Sequence, residues 1–157
     1  MIDQERLARV LPRLEELLDK AEITDLVSRL GRILDERRFE DIRSIATEDV
    51  VADFPTHAAA AQLRGVEALT EHGRRSMGRF ERTQHVTTNV MIDLDGDRAR
   101  VRANLIATHV RAAGQPNVHY DAGEYYLFDA VRTPEGWRLC RINPNAVWYA
   151  GERPGRA

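Results

Sequence analysis

The stretch TQHVTTNVMIDLDGDRARVRANLIATHV, residues 83–110, decides the fold class of this chain. Its β-branched and other apolar residues recur with a period of two, which is typical of β-strands, and no proline interrupts it. The tripeptide DGD at 95–97 is a hairpin signal. We therefore predict two long antiparallel strands, at 83–94 and 98–112.

Further strands are predicted on the C-terminal side of this hairpin. Segments 118–133 and 137–150 have strand character and are bounded by the turn signals AGQPN and PEG. On the N-terminal side the apolar residues recur at three- and four-residue spacing. This spacing predicts a helix over residues 3–37, a short helix at 39–46 and another helix over 64–80.

Three local features modify the N-terminal half. Pro12 predicts a kink or a restart in the first helix. The segment DVVADFP, 49–55, has strand character and stops at a proline, and 56–63 predicts a loop or a weak helical turn. Helices followed by an antiparallel meander indicate an α+β fold, with the helices packed on one face of a curved sheet.

The length of 157 residues indicates a single domain, 1–157, with 1–14 as a helical extension and 150–157 as a flexible tail. The net charge is −2, with both signs interspersed, which argues against a nucleic-acid partner. The single cysteine, Cys140, excludes an internal disulfide framework and a cysteine-based zinc site. The sequence shows no signal peptide and no apolar run of about 20 residues, so we expect a cytoplasmic protein without membrane contact.

Strand alternation sorts the polar residues by face. In the second strand, His109 ends an apolar row that begins at Val101, which predicts that His109 faces the helices. In the first strand, His85 shares a face with Thr87 and Asn89. The opposite face of that strand is apolar enough to be buried as well, so periodicity alone leaves the direction of His85 open.

Two further elements supply polar candidates. The third strand carries Tyr120, Glu124 and Tyr126 in one row. On the first helix, Asp25 lies at the margin of the apolar stripe, about 100° around the helix from its neighbour in sequence. From helix geometry alone, a solvated Asp25 paired with Arg29 is the simpler interpretation, and a lone strand histidine is more often structural than catalytic.

A histidine paired with an aspartate in a dry pocket can act as a general base, because the carboxylate fixes the tautomer and stabilises the imidazolium. A second histidine can then donate a proton or hold an enolate oxygen. Such a set is sufficient for β-elimination, double-bond migration or aldol-type ring closure, without a metal or cofactor. A zinc site made by His85, His109 and Asp25 is the alternative, but no short-range ligand spacing supports it.

Several segments resemble the SnoaL-like group of the nuclear-transport-factor-two-like superfamily, which includes scytalone dehydratase, ketosteroid isomerases and polyketide cyclases. These segments are AEITDLVSRLGRILDERRFEDIRSIATEDVVADFP, LRGVEAL, RTQHVTTNVMIDLDGDRARVRANLIATHV and GWRLCRI. The resemblance covers roughly residues 15–145. It implies a cone-shaped α+β barrel, in which a strongly curved antiparallel sheet wraps the N-terminal helices and leaves an apolar pocket at the open end.

The resemblance also implies site residues. Dehydratase-like members use an aspartate on the first helix, a histidine on the strand after the third helix and, in scytalone dehydratase, a second histidine on the next strand. Asp25, His85 and His109 match these positions. His85 is then expected to be the general base, Asp25 its orienting partner and His109 an acid or oxyanion donor. Two positions that hold pocket tyrosines in scytalone dehydratase-like proteins correspond to Thr24 and Phe54 here.

The expected function is that of a cofactor-independent lyase, isomerase or cyclase acting on a hydrophobic, oxygenated small molecule. The alternative is a non-catalytic module of the same fold that binds a small molecule or serves assembly. We expect no metal or cofactor and a homodimer or homotrimer. The substrate-binding candidates are Asn89, Phe54, Tyr120, Glu124, Tyr126 and Asn143.

Overall fold

The computed structural model describes residues 3–55 and 60–152. They form two α-helices, a 3₁₀ helix and six strands. In chain order these elements are α1 (Gln4–Asp35), the 3₁₀ helix (Phe39–Ser44), β1 (Ala46–Pro55), β2 (Ala60–Arg64), α2 (Val66–Met77), β3 (Arg82–Asp95), β4 (Arg98–Val110), β5 (His119–Thr133) and β6 (Gly136–Gly151).

The six strands form one sheet in the order β2-β1-β6-β5-β4-β3. The predicted hairpin is β3–β4, and β5 and β6 continue it as an antiparallel meander. These elements confirm the α+β fold class. One pair departs from the antiparallel pattern, since β1 runs parallel to β6. A parallel pair needs a long crossover connection, and here α2 and the meander provide it.

The segment predicted as a loop at 56–63 contributes residues 60–63 to β2, which pairs with β1. Residues 56–59 lie outside the described part of the chain. At the C-terminus, the predicted flexible tail overlaps β6, which continues to Gly151. Residues 153–157 also lie outside the described part.

Helix α1 is continuous over 32 residues, with Pro12 inside it, so the predicted restart at Pro12 is not observed. Its second half packs against the sheet, whereas the apolar side chains of its first half are exposed. None of the helices in the described residues is long and apolar enough to cross a membrane. The exposed apolar side chains of the first half of α1 are Leu7, Val10, Leu11, Leu14, Leu17 and Leu18.

The core lies between the second half of α1 and the inner face of the sheet. The alternation of β4 buries one side chain in two along the strand, as the sequence pattern predicts, and its inward row ends at the buried His109. The largest fully buried side chains are Trp137, Ile23, Ile42, Ile45, Leu139, Val27, Val50 and Val66.

Strand β3 reverses its phase at Asn89. This residue has a φ of 52°, and the register with β4 shifts around it, as expected for a bulge that adds one residue to one strand. Before the bulge, His85 and Thr87 face inward; after it, Val90 packs on the core while Asn89 is exposed. The prediction that Asn89 faces the interior is therefore wrong, because strict alternation fails across the bulge.

The middle of α1 is fixed to the β5–β6 hairpin through Trp137, whose side chain is fully buried. The Trp137 indole Nε1 donates to Asp19 Oδ1 at 3.0 Å, and its backbone N–H donates to Glu22 Oε1 at 2.8 Å. Arg132 donates to both carboxylate oxygens of Asp19, at 2.8 and 2.6 Å, and its guanidinium lies 4.7 Å from the indole centroid. These contacts hold the middle of α1 against the β5–β6 hairpin.

Candidate active site

A cavity of about 140 Å³ lies between the C-terminal half of α1, α2 and the inner face of the sheet. Its lining is mainly apolar, and its polar groups come from α2 and from the inward faces of β3, β4 and β5. The apolar wall includes Leu30, Leu34, Phe54, Leu69, Leu105 and Ile142. A mainly apolar lining with a few converging polar groups is the usual character of a small-molecule site.

The side chains of His85 and Asp35 form a close pair at this cavity. The His85 ring donates from Nδ1 to Asp35 Oδ1 at 2.6 Å, and the His85 backbone N–H donates to Asp35 Oδ2 at 2.9 Å. Thr83 Oγ1 donates to Oδ1 at 3.1 Å. Because a carboxylate only accepts hydrogen bonds, Nδ1 carries a proton, and in the neutral ring Nε2 carries the lone pair.

Helix geometry explains why Asp35 meets His85. Val27, Gly31 and Asp35 are spaced four residues apart and therefore share one face of α1. Gly31 faces β3 so closely that a Cβ added there would lie 3.2 Å from His85 Cβ. The glycine thus permits α1 and β3 to approach, and the next residue of the row reaches the imidazole.

The predicted partner of His85, Asp25, does not reach this site. Its carboxylate is 53% exposed and pairs with Arg29 at 2.6 Å, the simpler of the two interpretations of the sequence. Asp25 precedes Asp35 by ten residues, about 15 Å along the helix, and lies on the solvent face. The prediction of an Asp25–His85 pair is wrong, and the residue directly before the actual partner is Leu34, a cavity-lining side chain, rather than Thr24.

His109 lies beside His85, as predicted, with the two rings perpendicular and their centroids 5.6 Å apart. Its Nδ1 donates to the carbonyl of Tyr120 at 3.0 Å, so Nε2 of the neutral ring is an acceptor. Burial lowers the pKa of His109, which keeps the ring neutral. In this tautomer Nε2 of His109 can accept a hydrogen bond, whereas the expected role as an acid or oxyanion donor requires an N–H at Nε2.

Glu124 and Tyr126 are neighbours on the inward face of β5, and both line the cavity as predicted. The Tyr126 hydroxyl donates a hydrogen bond to the Glu124 carboxyl group. Burial raises the pKa of Glu124, while nearby His85 and the hydrogen bond from Tyr126 oppose the shift. Burial also raises the pKa of Tyr126, so the phenol stays protonated.

Three of the predicted binding residues contribute differently. Phe54 lines the cavity, as expected. Tyr120 lies outside the lining, and its backbone carbonyl orients His109. Asn143 alternates with the inward Ile142 and therefore lies on the other face of β6, where its oxygens accept from Asn145 Nδ2 at 3.0 Å. Asn89 fails as a binding candidate because alternation does not continue through the bulge, and Asn143 fails because it lies on the outward phase of β6.

The cavity wall formed by α2 was missed at the sequence level. His72 stacks on Phe54, with centroids 4.1 Å apart, and its Nε2 lies 3.2 Å from Ser76 Oγ. Burial lowers the pKa of His72. Leu69, His72 and Ser76 follow the helical spacing of one face, and this spacing was the available signal. The wall thus offers a second polar position across the cavity from His85.

The metal hypothesis has no structural support in the described residues. No three histidine, cysteine, aspartate or glutamate side chains in residues 3–55 and 60–152 are grouped as a metal site would require. Asp25 is distant from the two histidines that were considered with it. The cavity histidines instead pair with Asp35, a backbone carbonyl and a serine hydroxyl.

A family model described as a SnoaL-like domain matches residues 15–143. An uncharacterized protein of Mycobacterium tuberculosis, Rv2910c, is 29% identical over 139 residues, which cover 86% of this chain and 90% of that protein.

Two solved protein structures are similar to this chain over most of their length. The Kfla4162 protein from Kribbella flavida is 28% identical, with a TM-score of 0.79, covering 86% of this chain and 95% of that one. The hexachlorocyclohexane dehydrochlorinase LinA-type3 from Novosphingobium barchaimii is 18% identical, with a TM-score of 0.76, covering 89% and 94%. At 18% identity, the second likeness concerns the fold alone.

Proposed function

Because the chain belongs to the SnoaL-like domain family, a group with a shared fold and varied chemistry, we propose its activity from its own site. We propose a lyase that eliminates water from a small, mainly apolar β-hydroxy ketone by general-base catalysis. The observation that carries the proposal is the Asp35–His85 pair at the wall of an apolar cavity.

The pair has the arrangement that proton abstraction from carbon requires. Asp35 holds Nδ1–H, so Nε2 is the free base, and the carboxylate stabilises the imidazolium that forms. The His85 side chain is only 5% exposed, so bulk water does not compete for Nε2. The carbonyl group of the substrate activates the C–H bond beside it. Apart from the base, the step needs only a leaving group on the next carbon of the substrate.

The cavity favours a small substrate. Apolar cavities of about 150 Å³ accept benzene, and this cavity has a comparable volume of about 140 Å³. A single six-membered ring carrying two oxygen functions is therefore the proposed substrate class. In the proposed binding mode, one substrate oxygen lies near His85 and His109. The other substrate oxygen lies near His72 and Ser76 on α2.

A neighbouring fold offers a chemical parallel. The Novosphingobium barchaimii protein is named for a dehydrochlorination, which is an elimination across two adjacent carbons. The same kind of step, with hydroxide in place of chloride, is what the Asp35–His85 pair would catalyse here. Double-bond migration in an enone starts with the same proton abstraction, so enones are tested as substrates as well.

The proposal is tested with 3-hydroxycyclohexanone, whose dehydration to cyclohexenone is followed by ultraviolet absorbance. Ala122 is buried and lines the cavity, so Ala122→Leu puts three more carbon atoms into it. We expect turnover by the wild-type protein and an increase in KM of about tenfold or more for this variant, which corresponds to about 1.4 kcal/mol of lost binding. The control Ala112→Leu makes the same change at an exposed loop position and should leave KM unchanged.

The outcomes separate the two functional classes. Binding of cyclic β-hydroxy ketones and enones without any turnover would contradict the lyase proposal and favour a non-catalytic binding module. Equal kinetics for Ala122→Leu and the wild-type protein would place the reaction outside this cavity. Circular dichroism of both leucine variants checks that the fold is retained.

We also propose that the protein forms a homodimer or homotrimer through apolar surface that the monomer leaves uncovered. Leu17 and Leu18 on α1 are 64% and 61% exposed, and Ile106 on the outer face of the sheet is 53% exposed. A helix half with an apolar stripe gains stability by packing that stripe against a partner. A second copy of this chain presents the same apolar sheet face, against which the stripe of α1 can pack.

Light scattering coupled to gel filtration checks the oligomer. The double variant Leu17→Glu, Leu18→Glu should move the mass toward that of the monomer, because it introduces two charges on the stripe. Arg13→Glu alters charge on the same helix and should leave the mass unchanged. A monomeric wild-type protein at micromolar concentration would contradict the proposal.

A further inference from the structure

We propose that Glu124 is the proton donor of this site and delivers its proton to the departing hydroxyl group. Glu124 projects inward from β5 and lines the same cavity as His85 on β3, with β4 between the two strands. Strands two positions apart are separated by roughly 9–10 Å. A single ring therefore fits between the base on one side and the carboxyl group on the other. This inference rests on the proposed elimination.

The two sheet histidines leave this role unfilled. Asp35 takes the Nδ1–H of His85, and the Tyr120 carbonyl takes the Nδ1–H of His109. Both rings consequently present Nε2 lone pairs and accept hydrogen bonds. The Tyr126 hydroxyl is directed to Glu124. Among the described sheet residues lining the cavity, Glu124 is thus the remaining candidate for the proton donor.

The surroundings of Glu124 favour its acid form. It lies among apolar lining residues, where the charged carboxylate is disfavoured and its pKa is raised. The titratable groups that line the cavity with Glu124 are His85 on β3, His109 on β4, His72 on α2 and Tyr126 on β5, and Asp35 on α1 pairs with His85. The hydrogen bond from Tyr126 leaves the second carboxyl oxygen to carry the proton toward the ligand.

The step balances in atoms and charge. His85 Nε2 removes the proton from the carbon beside the carbonyl, and that electron pair becomes the carbon–carbon double bond as the C–O bond breaks. The leaving hydroxide takes the Glu124 proton and departs as water. His85 is then an imidazolium held by Asp35, and Glu124 is a carboxylate. Return of one proton from His85 to Glu124 through the product water restores both groups.

A leaving-group comparison tests the role of Glu124. Glu124→Gln keeps the size and the acceptor for Tyr126 but has no transferable proton. With 3-hydroxycyclohexanone, we expect kcat to fall by about 10²- to 10⁴-fold, the usual contribution of a general acid. With 3-acetoxycyclohexanone, which loses acetate without protonation, kcat of the same variant should stay close to that of the wild-type protein. His85→Ala should lose both reactions.

Each outcome decides between the two proposals. If His85→Ala loses both reactions and Glu124→Gln affects neither, or affects both equally, the donor role is overturned while the elimination stands. If His85→Ala changes neither reaction, or the wild-type protein converts neither ketone, the proposed function itself fails. A substrate-independent measurement is the infrared difference spectrum of wild type and Glu124→Gln near neutral pH. A carboxylic-acid band supports the inference, and a carboxylate band alone overturns it.

Discussion

Asp35→Asn is expected to lower kcat for elimination by about 10³- to 10⁴-fold, with the fold retained. Asparagine preserves the size, and its one oxygen, in the place of Oδ2, can still accept the hydrogen bond from the His85 backbone N–H. Its amide group, however, can turn an N–H toward Nδ1 and so place the imidazole proton on Nε2. The same loss of the correct tautomer costs about 10⁴-fold in a serine protease triad. Turnover of 3-hydroxycyclohexanone measures the effect.

Asp25→Asn is the matched control for this experiment, because it makes the same chemical change on the same helix. Asp25 pairs with the exposed Arg29, an interaction worth about 0.3–0.5 kcal/mol. We expect kcat to remain unchanged and stability to fall by no more than that amount. A loss of turnover in Asp25→Asn with none in Asp35→Asn would restore the original sequence prediction.

A second pair shows why proximity of histidine and aspartate is not sufficient for the proposed role. His119 Nδ1 and Asp121 Oδ1 are 2.9 Å apart, close to the separation in the Asp35–His85 pair. The His119 side chain is 38% exposed, compared with 5% for His85, and it does not line the cavity. Water can therefore solvate His119, and His119→Ala is a suitable control for His85→Ala.

The parts of the fold that sequence predicted well are those where one physical pattern runs without interruption. In β4 the alternation continues from Ala99 to His109, so the buried row and its terminal histidine follow directly from the period of two. In β5 the same rule places Glu124 and Tyr126 inward. Each of these assignments depends on one strand only.

The assignments that failed depend on interruptions or on packing between elements. Asn89 has a positive φ that asparagine tolerates, and the resulting bulge moves it to the opposite face. No period reveals where a bulge occurs. The choice between Asp25 and Asp35 depends on where α1 crosses β3. Gly31, a residue otherwise unfavourable inside a helix, was the local signal for that crossing.

Trp137→Ala is expected to lower the free energy of unfolding by about 3–5 kcal/mol, the usual cost of removing a large buried aromatic side chain. The side chain is fully buried, and its loss also leaves Asp19 without the indole donor. Typical domains have a total stability of about 5–15 kcal/mol, so this loss removes a large part of it. Trp137→Phe, which keeps most of the apolar volume, then gives a measurable intermediate loss in urea unfolding.

Trp148→Ala is the control, since the other tryptophan of the chain is 46% exposed and its truncation should cost much less. The residue that anchors Trp137, Asp19, precedes Asp35 by sixteen residues, which is about 24 Å along α1. We therefore expect folded Trp137→Phe to keep the kcat of the wild-type protein, while its unfolding midpoint falls. A drop in kcat with unchanged stability would mean that the crossing of α1 over the sheet, rather than the local row through Gly31, sets the position of the base.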